Sequence, residues 1–240
     1  MFVYLIDNSP VKSLSLNIFD DYQGELKQLQ IEPHLVSGHG NIGYGSAHNL
    51  ILNDLKSDYH LMLNSDVVLD EQCLAQGIAY LNVNQTTAMA SPLAHYEDGD
   101  KQYLCKRYPS VFTLFIRGFL PSRFQNALSN RLAHYEMHDL YAEDHGASRA
   151  EISIISGCFM LCRTAALVAI NGFDEKYFLY FEDFDLSLRI QKEGNLAFVP
   201  GMKINHGGGN AAKKGTKHIW MFVCSGFRFF SCHGWQWFRY

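Results

Sequence analysis

A chain of 240 residues, 48% hydrophobic and with a formal net charge of −4, has the profile of an ordinary folded protein and is long enough to bury one sizeable core. Its mild acidity argues against broad nucleic-acid binding, and no stretch approaches the roughly 20 uninterrupted apolar residues of a membrane span. The six cysteines include no CxxC pair and read as reduced thiols. No basic segment followed by a long apolar run opens the chain, so no signal peptide is expected and a cytoplasmic location is.

Taken in chain order, Phe2–Ile6 reads as a strand, stopped by the turn residues Asp7, Asn8, Ser9 and Pro10. A helix is expected over Val11–Tyr22, and a short strand over His34–Ser37 runs into the glycine-rich loop Gly38–Gly45. From Ser46 the apolar spacing turns helical, with Ala47, Leu50, Ile51 and Leu55 on one face. Tyr59–Leu63 reads as a buried strand, Glu71–Leu81 as a helix and Thr87–Ala90 as a strand. Strands alternating with helices predict an α/β fold, a mostly parallel sheet with helices on both faces. Between about His95 and Ala150 the alternation is lost. It returns with an apolar run, Ile152–Cys162, a helix over Thr164–Ile170 and another over Asp183–Glu193, where Asp185 and Arg189 form an i,i+4 pair and Gly194 suits the cap. Leu196–Val199 reads as the last strand, followed by Pro200.

Four groups of residues carry chemistry. Asn64-Ser65-Asp66 follows a hydrophobic strand, at the strand end where open α/β sheets bind ligands, and Asp66 there suits a divalent cation shared with phosphates. The same three residues also suit a plain turn. The loop Gly38–Gly45 lets backbone approach a ligand at a helix start, yet it matches neither common nucleotide-loop pattern. Glu182, Asp183 and Asp185 follow the aromatic run Tyr177, Phe178, Tyr180, Phe181, and acids in so apolar a segment serve either as a helix N-terminus or as a pKa-tuned base. His206 precedes a run of glycines and is a candidate ligand.

The ordered series DNS (7–9), NIGYGSAHN (41–49), LNSDV (63–67), SGCFMLCR (156–163), NGFDEKYFLYFEDFDLSLR (171–189) and VPGMKINHGGG (199–209) resembles the family 2 glycosyltransferases of the GT-A fold. The resemblance is to the bacterial rhamnosyltransferase-like branch that builds O-antigen and other cell-surface polysaccharides. It implies a nucleotide-sugar donor, dTDP-rhamnose by branch, and a divalent cation, Mg or Mn. Asp66 would hold that metal, with Asn64 in place of the motif's first acid and His206 completing the site. Asp7 and Asn8 would contact the nucleotide, with Asn41, Gly43 and Asn49 lining its pocket. Asp183 matches the general base, and Glu182 would bind the acceptor or take the base's place. The acceptor would be a polyprenyl-linked or glycan hydroxyl.

Members of that family begin with one more strand, so the resemblance implies that the true start lies upstream, that another partner covers the exposed strand, or that the sheet is N-terminally shortened and its neighbouring strands lose ladder partners. This leaves an alternative of another class, a non-catalytic relative acting as a binding or partner module. The expected organisation is a GT-A-like domain over residues 1–206, with an acceptor-side insertion at about 95–150, and a C-terminal segment, 207–240. Lys106, Arg107, Arg117 and Arg123, among Tyr108, Phe112, Phe115 and Phe119, and the aromatic and basic tail suit peripheral contact with an anionic membrane.

Overall fold

The computed structural model describes residues 1–121, 127–142, 152–207 and 215–238. Arg123, Gly208, Gly209, Lys213, Lys214 and Arg239, singled out from the sequence, lie outside them.

The strands are β1 (Phe2–Ile6), β2 (Glu32–Val36), β3 (Tyr59–Leu63), β4 (Val67–Leu69), β5 (Thr87–His95), β6 (Lys101–Gln102), β7 (Cys105–Lys106), β8 (Ile154–Ile155), β9 (Phe159–Arg163) and β10 (Asn195–His206). The helices are α1 (Gln23–Gln28), α2 (Tyr44–Asn49), α3 (Cys73–Val83), α4 (Val111–Phe119), α5 (Ser129–Tyr135), α6 (His138–Ala142), α7 (Thr164–Ala169), α8 (Glu182–Ile190) and α9 (Thr216–His233). The central sheet runs β3-β9-β5-β10-β4, with β6 attached to β5.

The α/β class holds, but the expected mostly parallel sheet is corrected. Only β1–β2 and β5–β10 pair in parallel; β3–β9, β5–β9, β5–β6 and β4–β10 are antiparallel. Parallel neighbours need a crossover, usually a helix, and that pattern lapses after β5. The chain returns from the middle region through the β7–β8 ribbon, and β9 runs against both of its neighbours.

Two-residue periodicity divides the core. On β9, Met160 and Cys162 join Met62, Phe173, Leu186 and Phe198 on one face, while Phe159 and Leu161 join Leu81, Met202 and Ile204 on the other. Burial on both faces explains the nearly unbroken apolar sequence of the inner strands.

Two boundaries differ from expectation for identifiable reasons. Residues 11–15 are not helical, because the Asp7 carboxylate accepts hydrogen bonds from the backbone N–H groups of Ser9, Ser13 and Leu14 at 3.2, 2.9 and 3.0 Å. Pro200 does not end the last strand: β10 continues to His206 by shifting register against β5 between Val199 and Lys203, and a bulge is where a strand tolerates proline.

The strand pair β1–β2 is a sheet of its own, and β3 is an edge of the central sheet.

Candidate active site

The sheet register builds the first half of the site. Antiparallel pairing sets His206 opposite Val67, one residue past Asp66. Imidazole Nε2 of His206 lies 3.5 Å from the Asp66 carboxylate, and Nδ1 lies 2.7 Å from Oε1 of Gln102. In the tautomer whose Nδ1–H donates to that Gln102 oxygen, the neutral ring turns its Nε2 lone pair toward Asp66. A lone pair and a half-exposed carboxylate then face each other, a donor set that fits a divalent cation. Among the described residues no group of three or more His, Cys, Asp or Glu side chains is arranged to hold a metal. The protein would therefore supply two ligands and leave the remaining positions to phosphate oxygens and water.

The second half lies at the N-terminus of α8. Tyr180 and Phe181 both adopt left-handed backbone, with φ of 69° and 64°, a conformation that costs non-glycine residues about 1–3 kcal/mol each. Tertiary contacts hold them there. Tyr180 Oη pairs with Nδ1 of His218 at 2.9 Å, and the Phe181 ring packs on Phe222 and Phe229 of α9. This turn delivers Glu182 and Asp183 to the positive end of the helix.

The Asp183 carboxylate accepts the backbone N–H of Gly157 at 3.0 Å and that of Phe184 at 3.0 Å. A Cβ at position 157 would stand 3.3 Å from that of Asp183, so glycine permits the close approach. The Tyr44 hydroxyl donates to the Gly157 carbonyl at 2.6 Å. Burial raises the pKa values of both acids. Glu182 is pushed up to about 8, by burial first and then by the charge of Asp183. Asp183 is also raised by burial, but the two N–H donors and the ammonium of Lys106 oppose that rise. Glu182 keeps Oε2 buried without a hydrogen-bond partner. Near neutrality Glu182 therefore holds its proton, and of the two acids Asp183 is the one whose charged form the backbone hydrogen bonds favour.

The segment Ser156–Cys158, between β8 and β9, joins the halves. Asn64 N–H donates to the Cys158 carbonyl at 3.0 Å on one side, and Gly157 N–H meets Asp183 on the other. Sequence reasoning quoted this segment but gave it no role, and it also passed over Tyr44 and placed Lys106 on a surface. An SGC triplet within an apolar run was the available signal for the first.

The residues expected around the nucleotide divide into two kinds. Asn8 clamps the glycine loop, donating to the Gly43 carbonyl and accepting from Ile42 N–H, both at 3.0 Å. Asn41 closes the same turn on Gly43 N–H at 3.1 Å. Gly43 has φ of 94°, and a Cβ there would stand 2.5 Å from the Phe178 carbonyl oxygen, which ties this loop to the aromatic run before α8. The Asp7 carboxylate is held well below its usual range by hydrogen bonds, first from Ser9 and then from Ser13. Asn49 spends its amide on the backbone of Phe173, at 2.9 Å in each direction. Asp7 and Asn49 thus spend their side chains on protein backbone.

The three described cations singled out in the middle region, Lys106, Arg107 and Arg117, are buried or paired with acids, although Arg117 is itself exposed. Lys106 is buried, Arg107 pairs with Asp139 at 2.6 Å and Arg117 with Glu136 at 3.0 Å.

No protein-family model matches the chain. The rhamnosyltransferase WbbL of Escherichia coli is 29% identical over 182 residues, 71% of this chain and 62% of that protein, so the chain spans less than two thirds of this relative. The N-acetylglucosaminyl-diphospho-decaprenol L-rhamnosyltransferase of Mycobacterium tuberculosis is 40% identical over 60 residues, 25% of this chain and 20% of that protein. Among solved structures, GalNAc-T7 with UDP, GalNAc and Mn²⁺ superposes with a TM-score of 0.58 at 14% identity, over 92% of this chain and 40% of that one. S. aureus TarS with UDP-GlcNAc superposes at 0.53 and 12% identity, over 95% and 57%. In sequence the chain is similar to rhamnosyltransferases, and in fold to glycosyltransferases of the GT-A architecture.

Proposed function

We propose that the chain transfers a sugar, with inversion, from a nucleotide diphosphate to a hydroxyl of a lipid-linked or polysaccharide acceptor in cell-surface glycan synthesis. The observation that carries this reading is the placement of Asp66 and His206 on one side of Ser156–Cys158 and of the Glu182–Asp183 pair on the other. Asp183 takes the acceptor proton as the hydroxyl oxygen attacks the anomeric carbon, and a single displacement inverts that centre. Glu182, protonated, is available to hydrogen-bond the acceptor. A divalent cation held by Asp66 and His206 would neutralise charge on the departing diphosphate. Rhamnose as the sugar is supported by the names of the two rhamnosyltransferase relatives, and dTDP as its carrier by the resemblance of the sequence motifs.

The test is calorimetric titration with dTDP, UDP and GDP, each with and without Mn²⁺. Metal-dependent binding of one nucleotide is expected, dTDP first. The separate β1–β2 sheet favours a second reading, a non-catalytic relative acting as a partner module. A folded chain that binds none of the three nucleotides would establish that reading instead.

The reading extends to the surface, as attachment to the cytoplasmic face of an anionic membrane. Ile219, Trp220, Val223 and Phe227 are exposed along α9, and Trp235, Trp237 and Phe238 follow. Residues 207–240 contain Lys213, Lys214, Lys217, Arg228 and Arg239 and no carboxylate side chain. No described helix is long and apolar enough to cross a membrane, so the geometry suits an element lying in the interface. Flotation with anionic vesicles at low salt is expected to carry the protein, and Trp220→Glu with Phe227→Glu to release it. No association with such vesicles would overturn the attachment.

A further inference from the structure

Asp183 is held by a segment that is itself pinned from several sides. Gly157, at the middle of Ser156–Cys158, gives its N–H to the Asp183 carboxylate at 3.0 Å. Ser187 of α8 fixes the strand before it, accepting the Ile155 N–H at 3.0 Å while donating to the Asp183 carbonyl at 2.7 Å. Asn64 N–H fixes the residue after it, through the Cys158 carbonyl at 3.0 Å. Gly157 itself is gripped by the Tyr44 hydroxyl, which donates to the Gly157 carbonyl at 2.6 Å.

The setting of Tyr44 shows what its hydroxyl is for. Tyr44 opens α2 directly after the clamped glycine loop, and its own N–H donates to the Phe178 carbonyl at 3.2 Å. Its ring meets those of His48 and Phe173 edge-on, with centroids 4.7 and 5.9 Å apart. A phenylalanine would supply that packing equally well. The hydroxyl adds the bond to Gly157. Burial, and then the charge of Asp183, hold the phenol well above its usual pKa, so it keeps the proton it donates. A Cβ placed on Gly157 would stand 3.6 Å from Tyr44 Cε1 and 3.6 Å from Asp183 Oδ2, so ring and carboxylate flank one glycine. Glu182, Lys106, Tyr135 and Cys158 also act electrostatically on Asp183. Among the described residues, Tyr44 is the side chain that hydrogen-bonds the glycine whose N–H the carboxylate accepts.

We infer that Tyr44 is a positioning residue for the base: its hydroxyl pins Gly157 so that the Gly157 N–H holds the Asp183 carboxylate in one orientation. What the carboxylate does rests on the transferase reading; how it is held rests on the hydrogen bonds alone.

The test uses the full chain with Tyr44→Phe, which keeps the ring. Tyr59→Phe is the control, because it removes another tyrosine hydroxyl bond, 2.6 Å to Asn82, away from the site. NMR follows amide hydrogen exchange and the titration of the Asp183 carboxyl carbon, assigned by its loss in Asp183→Asn. In Tyr44→Phe the Gly157 amide is expected to exchange about tenfold faster, the net worth of one hydrogen bond. The Asp183 titration is expected to move to higher pH, because a carboxylate that loses an N–H donor is easier to protonate. Tyr59→Phe is expected to change neither. With dTDP-rhamnose and Mn²⁺, kcat for donor cleavage is expected to fall about tenfold in Tyr44→Phe with KM within about twofold, and the acid limb of the pH–rate profile to move up with the NMR titration. Unchanged Gly157 exchange and unchanged Asp183 titration in Tyr44→Phe would overturn the inference. So would the same changes in Tyr59→Phe, the mark of general loosening. The expected NMR changes in a protein whose parent form cleaves no donor and binds no nucleotide would instead remove the transferase reading and leave Tyr44 positioning a carboxylate of another use.

Discussion

Replacing Asp183 with Asn is expected to abolish transfer, lowering the rate about 10²- to 10⁴-fold, the range a general base contributes, while nucleotide affinity changes by less than about twofold. The geometry accounts for both halves. Asp183 accepts from Gly157 N–H and Phe184 N–H, so the negative form is held in place, and the Asp66–His206 pair is a separate cluster. Asn at this position keeps the volume and loses the basic oxygen. Glu182→Gln, by contrast, copies the protonated state assigned to Glu182 and is expected to retain most of the activity, with the acid limb of the pH–rate profile still present. If Glu182→Gln were inactive and Asp183→Asn active, the base would be Glu182.

The same assignment has a stability consequence whose sign is fixed. An unfolded chain releases the Glu182 proton near the ordinary value of 4.5, whereas the folded chain holds it up to about 8. Between those values the native state binds more protons than the unfolded state, so stability falls as pH rises through that window. Glu182→Gln removes this contribution, and its urea midpoint is expected to vary less between pH 5 and pH 8 than that of the parent. An equal dependence in both proteins would place the raised pKa elsewhere.

Asp66→Ala is expected to remove the metal-dependent part of nucleotide binding, and His206→Ala to weaken it by at least about 10-fold, the lower end of what displaced metal partners cost. The two side chains are placed by one ladder, β4 against β10, with Gln102 of β6 fixing the imidazole tautomer. Gln102→Leu leaves both ligands and frees the ring, so it is expected to reduce Mn²⁺-dependent affinity by a smaller factor. Calorimetry with and without Mn²⁺ reads all three variants, and full metal dependence in Asp66→Ala would exclude this pair as the metal site.

Local pattern alone determined much of this protein. Phe2–Ile6 and Tyr59–Leu63 were legible to the residue, because apolar runs of five residues bounded by turn formers have few other options. The Asp185–Arg189 pair was legible too, observed at 2.7 Å, because i and i+4 share a helix face whatever the helix packs against. So were Asp66, Asp183 and His206 as candidates, since each acid or imidazole stands at an element end where apolar sequence stops.

Strand direction was not legible. Whether β9 lies parallel or antiparallel to β3 depends on the path through the middle region, and apolar strands in either orientation read alike. Nor was the state of the acids. A sequence shows that Glu182 and Asp183 adjoin, but only packing reveals that Gly157 N–H reaches one of them and leaves Oε2 of the other unsatisfied. Lys106 makes the same point. Among aromatic and basic neighbours it reads as a surface cation, and the β7–β8 ribbon buries it against Tyr103 and Tyr135 instead. Local pattern is set by contacts a few residues apart and is therefore written in the sequence. Burial, register and proton placement are set by contacts between distant residues, which only the tertiary structure decides.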